Sequence, residues 1–115
     1  GSDKHELSVQ KAHINATTAQ ADVHLRVADI RQLTPPPTAP GLVLTNPPYG
    51  VHSGKNTLSV YRSFGQRLQQ FSGWRVLFLA KSRDQAKAVS SQAQQLTHFS
   101  NGGIRVGVWV IDEIT

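Results

Sequence analysis

An α/β layer fold with a mostly parallel sheet is the class this sequence predicts. Two observations carry it: helix-like and strand-like apolar patterns alternate along the chain, and 115 residues suit one compact core with no space for a second. With no Cys, that core rests on ordinary packing, and disulfides, thiolate catalysis, Cys-bound zinc and iron-sulfur clusters are excluded together.

Taken in order, Leu7 to Ala21 reads as a helix, because Val9, Ala12, Ala16 and Ala19 recur three and four residues apart among polar neighbours. Val23 to Ile30 alternates Val23, Leu25 and Val27 against His24 and Arg26, the period of a strand. Thr34 to Gly41, TPPPTAPG, carries four Pro in eight residues and is a connector. Gly41 to Asn46, GLVLTN, reads as a buried strand stopped by a Pro-Pro pair. Leu58 to Phe71 sets Tyr61, Phe64, Leu68 and Phe71 on one helical face as core. Trp74 to Ala80 is a second buried strand. Ser82 followed by Gln85 has capping-box spacing and opens a helix with Ala86, Val89 and Ala93 as its inner face. A polar stretch and the turn signal Asn101-Gly102-Gly103 then lead into a last strand, Ile104 to Ile111.

The formal net charge is +5, and no acidic residue occurs from Ile30 through Arg83. Arg31, Lys55, Arg62, Arg67, Arg75, Lys81 and Arg83 are basic over the same interval, which suits a polyanion such as RNA or DNA as well as a plainly solvated basic surface. The longest apolar run falls well short of the roughly 20 residues that span a bilayer, and the polar start is no signal peptide. A soluble, cytoplasmic chain is expected, with no membrane partner.

In a parallel α/β sheet, ligands gather at the carboxyl ends of strands, which draws attention to the start of the first helix, the end of the Val23 strand and the end of the Gly41 strand, where Asp3, Asp29 and Asn46 fall. Asn46-Pro47-Pro48-Tyr49-Gly50 is the most informative stretch. Proline fixes the turn, so the Asn46 side-chain carbonyl and the Pro47 backbone carbonyl can converge as two acceptors for the two hydrogens of an exocyclic amine. Tyr49 offers a face on which a planar base stacks. Such a site works by positioning and electrostatics, which suits a nitrogen nucleophile attacking a methyl sulfonium. Asn-Pro-Pro alone also reads as a proline turn with an Asn cap. Asp3 and Asp29 alone read as polar strand ends or helix caps.

Asn46 to Gly50 after the strand GLVLT resembles motif IV of the S-adenosylmethionine-dependent methyltransferases that modify exocyclic amines of adenine or guanine. Gly1-Ser2-Asp3, Asn15-Ala16, Val27-Ala28-Asp29, TNPPYG, Tyr61, Phe64-Gly65, Gly73-Trp74 and Asn101-Gly102 stand in an order and spacing similar to the catalytic domain of the THUMP-associated RNA guanine-N2 methyltransferases. The similarity spans nearly all 115 residues. It implies a Rossmann-like class I methyltransferase sheet with helices on both faces, and S-adenosyl-L-methionine as cofactor. By the resemblance, Asp3 holds the cofactor ribose hydroxyls, Asp29 and the Ile30 backbone meet its adenine, and Asn46 adjoins it. Asn46, Pro47 and Tyr49 match the target-amine and base-stacking positions. Tyr49, His52, Lys55 and Arg62 are the expected RNA contacts, although a loop His is commonly just solvated. No metal-ligand spacing occurs among the His residues.

The sequence departs from the family in several places. No glycine-rich loop stands among these residues, Val51-His52 follows Gly50 where an acidic-basic pair is common, and Lys4 follows Asp3 where an apolar residue often packs. Together with the absence of Met, this leads us to expect residues 1–115 to be part of a methyltransferase catalytic domain. It would lack the first strand, partner a missing N-terminal portion of the same protein, and be inactive by itself. The activity implied is methyl transfer to guanine N2 of ribosomal RNA. Adenine N6 methylation of RNA or DNA, and a noncatalytic nucleic-acid-binding remnant, are the alternatives.

Overall fold

The computed structural model of the chain describes residues 1–47 and 56–115, which divide into two units, Gly1–Leu33 and Thr34–Thr115. In the first unit, β1 (Ser2–Asp3) pairs parallel with β2 (Arg26–Val27), Ser2 beside Arg26 and Asp3 beside Val27. Between them runs α1 (Glu6–Thr18), along which Val9 is buried and Ala12 and Ala16 are half-buried, while Ala19, the fourth of the expected stripe, is exposed just past the helix end. The helix stops three residues before the expected Ala21 because Gln20 turns left-handed at φ 56°, with Ala21 N–H donating to Ala16 O. Only Arg26–Val27 of the expected strand Val23 to Ile30 is a strand. Its partner β1 has two residues to offer, so Val23 is left about half exposed at 49 %.

The second unit holds a four-stranded sheet in the order β3-β4-β6-β5, built from β3 (Leu42–Thr45), β4 (Arg75–Ala80), β5 (Gln94–Asn101) and β6 (Ile104–Ile111). Its helices are α2 (Asn56–Leu68) and α3 (Arg83–Val89). β3, β4 and β5 run in one direction, as a mostly parallel sheet requires, and β6 is the reversed strand. β3 and β4 are parallel, but β6 runs antiparallel to both β4 and β5. The turn Gly102-Gly103, with φ of 59° and 83°, folds β5 back onto β6, and two successive left-handed residues are the geometry that keeps a tight hairpin in twist.

β5 is absent from the pattern-based reading. All eight of its residues are exposed, and as the outer strand it needs no apolar alternation to be held. The expectation that β3 is a buried strand is corrected: it lies at the other edge, and Leu42 and Leu44 remain 51 % and 75 % exposed.

The core of this unit follows the helical stripe. Tyr61, Phe64, Leu68 and Phe71 are all buried, and the Tyr61 and Phe64 rings lie 6.4 and 6.2 Å from that of Phe78 on β4. Each such side chain contributes on the order of 2 kcal/mol on burial. Phe71 and Ala93 are buried too, but beyond the ends of α2 and α3, so the two inner faces continue into the following turns. Gly65 is where α2 and α3 touch. A Cβ there would overlap the Val89 carbonyl, so a glycine lets the two backbones meet.

Candidate cofactor and target-base site

Within the first unit, parallel pairing sets the ends of β1 and β2 side by side, one strand spacing of about 4.8 Å apart. Ala28 N–H donates to Asp3 O at 2.9 Å, so Asp3 and Asp29 follow adjacent strand ends. Asp3 is exposed and accepts from His5 N–H through Oδ1 at 2.8 Å, which turns the chain into α1.

Asp29 is bound more tightly. Its Oδ1 accepts from the Arg31 backbone N–H and from Arg31 Nε, both at 2.9 Å, while Oδ2 accepts from Arg31 Nη2 at 2.8 Å. That fork holds the Asp29 carboxyl well below the usual carboxylate range, chiefly through the side-chain hydrogen bonds from Arg31 and then its backbone N–H. The same interaction raises the Arg31 guanidinium further above its ordinary value. Oδ2 carries one bond from Arg31 and keeps capacity for another donor. Ile30 begins the 3-10 turn Ile30–Gln32, where an N–H has no partner within the turn. Two carboxylates and one N–H are thus offered at neighbouring strand ends.

Arg31 belongs to this arrangement, and the sequence reading missed its role. It was counted with the basic residues available to a polyanion, yet it is committed to Asp29. The signal was present as Asp-Ile-Arg, but such a pairing is one outcome among many until the chain turns sharply at Asp29.

Within the second unit, Asn46 follows β3 directly and is exposed, while Pro47 is buried beside it. Tyr49, His52 and Lys55 lie outside the described residues, as does Pro48. Arg62 sits on the exposed side of α2. Among the described residues there is no cluster of three or more His, Asp or Glu suited to a metal ion, and no helix long and apolar enough to cross a membrane.

Comparison with known proteins identifies the family and the fold. A family model described as "RMKL-like, methyltransferase domain" (UPF0020) matches residues 1–108. The chain is 31% identical over 112 residues to the ribosomal RNA large subunit methyltransferase K/L of Syntrophotalea carbinolica, covering 90% of this chain and 16% of that protein. It is 33% identical over 109 residues to the protein of the same name from Chromohalobacter salexigens, covering 89% and 15%. The chain therefore spans about a sixth of the length of these curated relatives. Among solved structures it superposes on SMU.472, a methyltransferase-type structure complexed with SAH, with a TM-score of 0.85 at 21% identity, over 98% of this chain and 31% of that one. That likeness establishes a class I methyltransferase fold of the Rossmann-like kind. The chain belongs to the RMKL-like methyltransferase domain family.

Proposed function

We propose that this chain carries the target-amine position and part of the cofactor site of an S-adenosylmethionine-dependent methyltransferase, acting on guanine N2 of ribosomal RNA in the cytoplasm. The observation that carries the reading is Asn46, held exposed at the carboxyl end of a parallel strand by a buried proline. Its Oδ1, with the Pro47 carbonyl, accepts the two amine hydrogens and leaves the nitrogen lone pair facing the electrophile. Tyr49 stacks on the base, which must be unpaired or flipped to arrive there. His52, Lys55 and Arg62 neutralise the neighbouring phosphates.

The residues of the first unit fit the adenosine part of the cofactor. Asp3 accepts from the ribose hydroxyls, Asp29 Oδ2 accepts from the adenine amine, and Ile30 N–H donates to the ring. When bound, the cofactor supplies the electrophilic methyl group. These 115 residues form part of the catalytic domain and by themselves transfer no methyl group, since none of their glycines stands in a glycine-rich loop for the amino-acid end of the cofactor. The names of the curated relatives support ribosomal RNA as the substrate.

The test is methylation of large-subunit ribosomal RNA by a longer protein that carries residues 1–115 together with a glycine-rich cofactor loop, followed by digestion and mass spectrometry of the nucleosides. N2-methylguanosine is expected, lost in Asn46→Ala with RNA binding retained. N6-methyladenosine in its place would move the target to adenine. RNA binding without any methylated nucleoside would leave the noncatalytic reading instead.

A further inference from the structure

A cavity of about 230 Å³ opens at the carboxyl end of β4, and nothing described so far uses it. Lys81, Arg83, Gln95, His98, Arg105 and Trp109 line it, and no carboxylate does. The sheet register assembles these walls. Arg105, Gly107 and Trp109 alternate along β6 and so share one face, Gly107 pairing with His98 on β5 and Ala80 on β4, and Trp109 with Gln95.

Gly107 forms the floor. A Cβ there would lie 2.6 Å from Trp109 Nε1 and 3.2 Å from Gln95 Nε2, so two N–H donors converge over a bare backbone. Trp109 Nε1 has no hydrogen-bond partner among the described residues, and Gln95 Nε2 has one long bond of 3.4 Å to Thr97 O. Arg105 Nη2 donates to His98 Nε2 at 2.6 Å, which steadies the guanidinium and leaves its remaining N–H groups for a ligand. Lys81, Arg83 and Arg105 are exposed cations at the rim.

A cavity walled by donors and cations, with no acidic side chain, selects an anion with several acceptor oxygens. Its place selects which one. Because β3 and β4 are parallel, the cavity opens at the same end of the sheet as Asn46, roughly 5–15 Å away at one to three strand spacings. A nucleotide flanking a base held at Asn46 falls within that span.

We propose that this cavity binds a backbone phosphate of the RNA next to the target nucleotide. The identity of that RNA rests on the methyltransferase reading, while the phosphate rests on the cavity's own chemistry. The same oxygens occur on free phosphate, so the test separates the two sources.

A fluorescein-labelled single-stranded RNA is titrated with the full chain at several salt concentrations, and inorganic phosphate is titrated separately by tryptophan emission. Arg105→Gln and Lys81→Gln are compared with Lys11→Gln, which removes another exposed charge, from the first unit. Expected is a loss of about tenfold in RNA affinity for each cavity variant, with the slope of log affinity against log salt reduced by about one, and little change for Lys11→Gln. Arg105→Lys restores part of the loss, and equal thermal midpoints show that the variants fold. Equal losses in all three variants would mean diffuse charge and overturn the proposal. So would inorganic phosphate binding that the cavity variants abolish while RNA affinity stays unchanged. Failure of the methyltransferase reading would appear elsewhere, as no methylated nucleoside from the longer protein that carries these residues together with a glycine-rich cofactor loop.

Discussion

Arg31 grips both carboxylate oxygens of Asp29, through Nε at 2.9 Å and Nη2 at 2.8 Å. The pair is formed within one tight turn, and it aims a carboxylate that the proposed cofactor site requires. Arg31 is a positioning residue here. Replacing it with Gln removes the fork, and the Asp29 carboxyl is expected to rise toward its ordinary value of 3.8, measured by carbon NMR titration of the side-chain carboxyl. The depressed folded value means that Asp29 contributes stability above pH 3.8, lost as pH falls through the folded value. The Arg31→Gln variant should lack that contribution at neutral pH, be less stable there, and converge with the unsubstituted chain in acid, so that its stability falls less steeply as pH is lowered.

Gly65→Ala tests the contact between α2 and α3. In an open helix the change would gain about 1 kcal/mol from propensity. Here the new Cβ meets the Val89 carbonyl, which is backbone and cannot swing away, so overpacking wins. A net loss of about 1–3 kcal/mol is expected, seen as a lower midpoint in chemical unfolding.

Tyr61→Phe removes a hydroxyl donor from the core. The ring is fully buried, and its hydroxyl donates to Leu79 O at 2.6 Å. Phe fills the same space without the donor, so a loss of about 1–1.5 kcal/mol is expected from denaturant titration, with the aromatic cluster around Phe78 otherwise intact.

Ser82→Ala probes the start of α3. Ser82 Oγ accepts from Gln85 N–H at 3.2 Å, and Gln85 Oε1 accepts from Lys81 N–H at 2.8 Å. Removing the hydroxyl should cost about 1 kcal/mol of stability by thermal unfolding. Since Lys81 lines the donor-walled cavity, RNA affinity should fall with it, though less than in Lys81→Gln.

Local pattern determined a good deal of this protein. The stripe of Tyr61, Phe64 and Leu68 defined α2 and its buried face, Ser82 and Gln85 marked the start of α3, and the paired glycines marked the turn before the last strand. Apolar runs that stop there place Asp29 and Asn46 at strand ends, while Asp3 is read at the start of the first helix; the fold has Asp3 at the end of β1, Asp29 just after β2 and Asn46 directly after β3.

Tertiary structure decided what depends on partners distant in sequence. β5 has no apolar alternation and exists because β6 holds it on one side; the antiparallel course of β6 beside β4 is equally invisible to periodicity. The fork from Arg31 to Asp29 needed the turn after β2, and the cavity of Lys81, Gln95, Arg105 and Trp109 needed the register of three strands. Periodicity reports which face of an element is buried, whereas register and chain reversal decide which side chains meet across elements, and those are set by packing of the whole unit.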